Sequence, residues 1–128
     1  MEKLSKCPCN STKNYEECCQ IIHKNPKNAQ TAEQLMRARY SAFVFHQIDF
    51  IYNTFHPNTR RYQNKIDIQN WATESKWMQL EIVKSTNNTV EFRAHYLDMN
   101  NNVQIHHEKS NFKQLQNVWF YYDGKIIE

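Results

Sequence analysis

The four cysteines of this 128-residue chain all lie between positions 7 and 19. They form a Cys-x-Cys pair, Cys7 and Cys9, and then, after eight further residues, the adjacent pair Cys18 and Cys19. Four sulfur ligands at the corners of a tetrahedron are typical of a structural zinc site. A segment this short cannot bury enough apolar surface to fold alone. The spacing therefore predicts a knuckle, residues 1–28, held together by one structural Zn²⁺.

Two other interpretations of the cluster are a set of disulfides and free buried thiols. Disulfides need an oxidising compartment, and the first residues contain no apolar run of signal-peptide length. Free cysteines would not concentrate in this way by chance. His23 is an alternative ligand, although it lies four residues beyond Cys19. We expect Zn²⁺ on the four thiolates, with no open coordination position and hence no catalysis at the metal.

The net charge of the chain is small and evenly distributed. It amounts to +3 in total, with +2 in residues 1–28 and +1 in residues 29–128. No strongly basic face is predicted, which argues against nucleic acid as a partner. No segment approaches the length of an apolar membrane span. We therefore expect a cytoplasmic protein without a membrane partner.

Beyond a linker-like stretch at 24–30, the sequence changes from helical to strand periodicity. Three helices are predicted, one capped by Thr31 with Gln34 in a capping box, one from Ile48 onward, and one capped by Asp67. Residues with a period of two then indicate four strands, at 77–84, 89–98, 103–115 and 118–122. The pattern predicts an α+β domain over residues 29–128, with three helices packed on a four-stranded antiparallel sheet.

One carboxylate of the predicted sheet is expected to point inward. Glu108 shares a strand face with the apolar Phe112, and a buried carboxylate is unfavourable unless it is paired. Arg37 or Arg39 of the first helix, or His56 after the second, are its candidate partners, although arginines at such positions are often solvated. Glu108 is thus either an acid/base catalyst acting with His56 or Arg39, or half of an ion pair that locks helix to sheet.

Other polar and aromatic side chains of the strands carry weaker signals. His95, His106 and His107 suggest a second metal site, but His106 and His107 point to opposite faces of one strand, so one ion cannot easily bind both. Trp119 and Tyr121 share a face and are expected in the core or in a pocket wall.

Residues 7–19 resemble the SEC-C motif, the zinc knuckle named after the C-terminus of the SecA translocase. That motif reads Cys-x-Cys, eight residues, then Cys-Cys or Cys-His, and it usually has glycine where this chain has Asn10 and Thr12. Asparagine adopts a positive φ readily, whereas threonine does so only with strain.

Nearly the whole chain resembles the YchJ family of bacterial proteins. Residues 35–44, LMRARYSAFV, are similar to the family signature LMRSRYSAFV, and later blocks match in order at 54–57, 77–81, 107–112 and 119–124. The resemblance implies a SEC-C knuckle joined to a nuclear-transport-factor-2-like domain. The bent sheet of that fold forms a cone, which often encloses a pocket. It implies no established reaction.

These expectations lead to three functional hypotheses. The first, which the sequence favours over an enzyme, is a zinc-binding adaptor whose knuckle contacts a protein partner, by analogy with SecA in secretion or nascent-chain handling, and whose cone domain binds a ligand or a second partner. The second is a small-molecule hydrolase or isomerase that uses Glu108 with His56 or Arg39 in the cone pocket. The third is a ligand-binding domain without turnover. Related cone folds often dimerise through the outer sheet face, so a homodimer is a further hypothesis for this chain.

Overall fold

The computed structural model describes residues 6–128. The knuckle contains a 3-10 turn at Tyr15–Glu17, helix α1 (Cys19–Lys24) and a second 3-10 turn at Pro26–Asn28. Four helices and four strands follow. The α-helices are α1 (Cys19–Lys24), α2 (Ala32–Val44), α3 (Ile48–Asn53), α4 (Pro57–Arg60) and α5 (Lys65–Glu74). No helix in this part of the chain has both the length and the apolar character that a membrane crossing requires.

The strands form one antiparallel sheet with the order β1-β2-β3-β4. They are β1 (Lys76–Ser85), β2 (Thr89–Leu97), β3 (Val103–Leu115) and β4 (Val118–Ile126). The register shifts at two points in β1, and again where β3 pairs with β4. Such irregularities bend a strand and increase its twist. The predicted α+β class and its antiparallel sheet are confirmed.

The core lies between the helices and one face of the sheet. In β2, Val90, Phe92 and Ala94 are buried, whereas the residues between them are only partly covered. Helix α2 contributes a large buried surface because both the sheet and the knuckle pack against it. The predicted capping box at its start is present in part, since Thr31 Oγ1 accepts the Gln34 N–H at 3.1 Å.

Three details of the sequence-based prediction were wrong. Residues 29–128 contain four α-helices rather than three, because Pro57 begins a further short helix, α4. Proline suits the first turn of a helix, where its missing N–H needs no partner. Helix α5 is capped by Asn64, whose side chain accepts the N–H groups of Ile66 and Asp67, so Asp67 lies inside the first turn. Strand β4 runs on to Ile126 instead of ending at residue 122.

The knuckle packs tightly against the rest of the molecule. Arg37 of α2 donates to the carbonyl of Cys9 at 2.6 Å, and the Leu80 N–H of β1 donates to Asn10 Oδ1 at 2.8 Å. The stretch predicted as a linker contains a 3-10 turn and the buried Ala29. The division of the chain at residue 28 stays a prediction.

Candidate metal centre and cavity

The four cysteine sulfurs converge on one point. All four lie within 4.8 Å of one another, with Cys9 and Cys18 at 3.7 Å and Cys18 and Cys19 at 3.9 Å. Four sulfurs at tetrahedral corners about 2.3 Å from a zinc ion would be about 3.8 Å apart. None of the cysteines forms a disulfide. The donor set therefore fits a tetrahedral metal ion, as the spacing predicted.

The backbone around the cluster explains how such closely spaced residues can converge. The Cys7 N–H donates to the Lys13 carbonyl at 2.8 Å and closes the loop between the two cysteine pairs. Within this loop Asn10 and Thr12 have positive φ angles of 66° and 73°. Glycine is common at both positions in the SEC-C motif, and these angles give the physical reason.

The adjacent pair is separated by a break in the helix. Cys18 has φ −129° and ψ −108°, between the 3-10 turn and α1, whereas Cys19 is the first residue of α1. Two neighbours on a regular helix would diverge by about 100°. The non-helical conformation of Cys18 turns its sulfur toward the same point as that of Cys19.

Hydrogen bonds among the sulfurs favour the thiolate at Cys7 and the thiol at Cys19, as the directions of their pKa shifts show. Hydrogen bonds from the Cys19 and Cys9 thiols hold the pKa of Cys7 below its usual range, and the same contacts raise the pKa of Cys19. The Cys7 sulfur also lies 3.5 Å from the Ser41 hydroxyl. His23 is not a ligand, because its two nitrogens contact the Tyr15 hydroxyl and the Ala38 carbonyl, each at 2.7 Å.

A cavity of about 540 Å³ lies between the helices and the sheet. Its wall is rich in aromatic side chains from α2, α5 and the strands, among them Phe43, Trp71, Trp77, Phe92 and Tyr121. The polar groups in the same wall include Arg39, His106 and Glu108. A volume of this size, with an apolar lining and a few polar groups, is typical of small-molecule sites.

Glu108 is only 7% exposed and sits at the centre of a hydrogen-bond network. Its Oε1 accepts from His106 Nε2 at 2.7 Å, and its Oε2 accepts from the hydroxyls of Ser110, at 2.7 Å, and Tyr121. Burial alone would raise the pKa of Glu108, but these hydrogen bonds outweigh burial and hold it below its ordinary value. Burial and the nearby Glu108 raise the pKa of Tyr121, which stays a neutral donor.

The single glycine of the chain leaves room for this network. Gly124 lies opposite Ser110 in the sheet, and a Cβ there would be 2.6 Å from Glu108 Cδ. The register shift between Asn111 and Phe112 leaves Tyr122 as an extra residue of β4, so that Tyr121 pairs with Phe112 on the face that carries Glu108. Because Gly124 has no positive φ, close approach rather than backbone conformation requires glycine here.

Arg39 enters the cavity wall but does not bind Glu108. Its Nη1 donates to the Ile51 carbonyl at 2.9 Å and to Thr54 Oγ1 at 2.6 Å. Its guanidinium lies over the Tyr121 ring, 4.5 Å from the ring centre. Burial lowers the pKa of Arg39 to about 10, so it remains a cation at neutral pH. Tyr121 thus contacts Arg39 through its ring and Glu108 through its hydroxyl.

The structure corrects the predicted partners of Glu108. Arg37 binds Glu33 and the knuckle, Arg39 is buried but bonded elsewhere, and His56 caps α4 by accepting the Asn58 N–H at 3.1 Å. The partner of the carboxylate is His106, two residues earlier on the same strand face. The sequence contained this signal, since a period of two already placed His106 and Glu108 together.

The strand histidines do not converge. His95 contacts Glu81 at 3.4 Å, His107 contacts Glu91 at 2.7 Å, and His106 lies on the opposite face with Glu108. Within residues 6–128 the cysteine cluster is the one group of ligand-type side chains with metal-binding geometry. Tyr121 belongs to the cavity wall, as predicted, and Trp119 is buried with its Nε1 donating to Gln30.

Comparisons with known proteins agree with this architecture. A family profile described as "YchJ, middle NTF2-like domain" matches residues 31–124. The chain belongs to the YchJ family. A UPF0225 protein of Vibrio cholerae is 38% identical over 94% of this chain and 82% of its own length, and one of Vibrio vulnificus is 37% identical over 97% and 77%.

Two solved structures share the fold of this YchJ-family chain. The solution structure of a SEC-C motif containing protein from Rhodopseudomonas palustris has a TM-score of 0.87 at 29% identity, covering 95% of this chain and 98% of that one. The crystal structure of a SEC-C motif containing protein from Psychrobacter arcticus has a TM-score of 0.76 at 33% identity, covering 95% and 82%. The predicted family is confirmed.

Proposed function

We propose that this protein binds a small molecule in the cavity under the sheet and carries out proton-transfer chemistry there, of the hydrolase or isomerase type. The observation that supports this most strongly is a pre-formed cavity of about 540 Å³ whose wall contains the His106–Glu108 pair. A site sealed by a Glu108–arginine ion pair would have argued against chemistry. Bulges in β1 and at the β3–β4 pairing support the cone shape predicted for the sheet.

His106 is the proposed base of this site. The Glu108 carboxylate accepts a hydrogen bond from Nε2 of His106. In the neutral imidazole the proton therefore sits on Nε2, and Nδ1 is an acceptor. Nδ1 has no hydrogen-bond partner within residues 6–128, and no buried side-chain nitrogen in this part lacks one, so Nδ1 keeps access to open space. A carboxylate that orients an imidazole in this way is a common arrangement for general base catalysis.

The cysteine cluster is proposed to hold one structural Zn²⁺. Four thiolates around Zn²⁺ leave a net charge of −2 and no open coordination position. Arg37 Nη1 at the Cys9 carbonyl and Lys6 Nζ at the Thr12 carbonyl place positive charge beside the cluster. Native mass spectrometry of the purified protein checks this. One zinc per chain is expected, and two would reopen the assignment of the strand histidines.

The chain offers a matched control for the proposed base. His107 and Glu91 form a second histidine–carboxylate pair with the same 2.7 Å separation, but His107 lies on the outer face of the sheet. Wild type, His106→Gln and His107→Gln would each be incubated with a bacterial small-molecule extract. Conversion of compounds would be followed by mass spectrometry.

The proposal expects conversion by wild type and by His107→Gln, and loss of most of that conversion in His106→Gln. General base catalysis contributes about 10²- to 10⁴-fold, which sets the size of the loss. A compound that binds but is never converted would reduce the function to ligand binding. Equal conversion by both variants would contradict the role of His106.

A protein-contact role of the knuckle is a second candidate function. Ile21 and Phe45 are large apolar side chains that stay 45% exposed beside the knuckle, and Phe45 packs on Tyr15 at 4.8 Å between ring centres. A cytoplasmic partner from secretion or nascent-chain machinery, or a second copy of this chain, would cover them. Co-purification should then be lost in Ile21→Ser but kept in Met99→Ser, whose side chain is exposed in the β2–β3 turn.

A further inference from the structure

The cavity wall contains an arginine with one edge that no protein group occupies. Arg39 is only 5% exposed, and both of its hydrogen bonds are made by Nη1. Within the described residues, Nε and Nη2 have no hydrogen-bond partner and Arg39 forms no salt bridge. No buried side-chain nitrogen in this part lacks a partner, so these two atoms reach open space. The space that Arg39 lines is the cavity.

The guanidinium is held rigidly in this orientation. The Phe55 and Tyr121 rings, which meet edge to face, both contact it, with their centres 4.4 Å and 4.5 Å from Cζ. The contacts of Nη1 with Ile51 and Thr54 fix its rotation in the plane. A planar, pre-oriented fork with two free donors is the geometry that binds a carboxylate through two parallel hydrogen bonds.

No protein carboxylate can take this place. Glu108, the buried acid of the cavity, is held by His106, Ser110 and Tyr121. The nearby Glu108 carboxylate favours the Arg39 cation through space, but it forms no hydrogen bond with the guanidinium, so an anionic ligand would be the first carboxylate bonded to Nε and Nη2. The other two acids of the lining, Asp67 and Asp123, are exposed, so water and salt screen them from a ligand at Arg39.

We propose that the ligand is an organic acid with a flat, apolar body, and that Nε and Nη2 of Arg39 bind its carboxylate. The aromatic side chains of Trp71, Trp77 and Phe92 form the apolar wall for the body of the ligand. This inference rests on the proposed function, because it names the class of small molecule that the same cavity accepts.

Three probes with one ring and different charge test the assignment: phenylacetate, phenylacetamide and phenethylammonium. Each is titrated into the ¹⁵N-labelled full chain, purified with zinc, while the amide resonances of the cavity residues are followed. Hydrogen bonds to a charged group are stronger than neutral ones, so the acid should bind about tenfold more tightly than the amide. The ammonium probe should bind most weakly.

Two variants separate the fork from its charge. Arg39→Lys keeps the positive charge but loses the planar pair of donors, and it should remove most of the preference for the acid. Arg93→Lys is the matched control, since Arg93 pairs with Glu81 on the outer sheet face, and it should change nothing. If Arg39→Lys fails to fold, the probe series on wild type still decides.

The two levels of the proposal fail in different ways. If the amide or the ammonium probe binds in the cavity as tightly as phenylacetate, or if Arg39→Lys retains the preference, the carboxylate assignment is wrong while the cavity function stands. If no probe shifts a cavity resonance, binding of small molecules in the cavity is itself contradicted, and this inference with it.

Discussion

Replacing Gly124 with alanine tests the packing of the Glu108 network directly. In most strands this substitution stabilises, because alanine loses less backbone entropy on folding, by about 0.5–1 kcal/mol. Here the new Cβ would lie 2.6 Å from Glu108 Cδ, far inside van der Waals contact. The carboxylate must therefore move away from the hydroxyls of Ser110 and Tyr121.

The structure sets the size of the effect. Each hydrogen bond to a charged group contributes about 1.5–3 kcal/mol, so weakening two of them outweighs the gain from alanine. We expect Gly124→Ala to lower the free energy of unfolding by about 1–3 kcal/mol, measured by urea denaturation with zinc present.

A second substitution isolates the cause of this loss. In a Glu108→Ala background the clashing carboxylate is gone and only the Tyr121 hydroxyl, 2.5 Å from the new Cβ, must still move, so the loss caused by Gly124→Ala should be much smaller. The coupling energy between the two sites should exceed about 1 kcal/mol, well above the deviation of independent sites. A Gly124→Ala variant as stable as wild type, or an equal loss in both backgrounds, would refute the reasoning.

Three further predictions concern the knuckle and the buried acid. Thr12→Gly should raise the free energy of unfolding by about 0.5–1 kcal/mol, because Thr12 is β-branched with φ 73°; a loss in urea denaturation would contradict this. Chelation of the metal, or Cys19→Ser, should lower the thermal midpoint of the whole chain, because Cys19 is buried in the common core; calorimetry that shows an unchanged transition would contradict it. The pKa of Glu108 is held below its ordinary value of 4.5, so its stabilising contribution is complete above pH 4.5 and is lost as pH falls through the folded value. The stability difference between wild type and Glu108→Gln should thus shrink from pH 6 to pH 3, and a difference that grows on acidification would count against the network.

The parts of the molecule that sequence predicts well depend on local spacing. The four cysteines whose sulfurs converge lie between positions 7 and 19, and their Cys-x-Cys and Cys-Cys pairs allow few arrangements. The inward direction of Glu108 follows from the alternation of its strand with Phe112. Both signals come from a few neighbouring residues, so no knowledge of the tertiary structure was needed.

The parts that sequence missed depend on long-range packing. Tyr121 reaches Glu108 because of an irregularity in the pairing of β4 with β3, which has no signature in the sequence. Arg39 looked solvated because one polar side of an amphipathic helix normally faces water. Arg39 instead lies on the side of α2 that faces the cavity, and the knuckle covers another side of the helix at Arg37.

Helix α2 therefore connects the two sites of the molecule. Positions four residues apart lie about 40° apart around a helix, so Arg37 and Ser41 share one side, and both contact the cysteine segment, at the Cys9 carbonyl and the Cys7 sulfur. Arg39 and Phe43 share another side and line the cavity. The residues that carry the family signature at 35–44 thus form one wall between the cysteine cluster and the cavity, which gives a physical reason for two arginines separated by a single alanine.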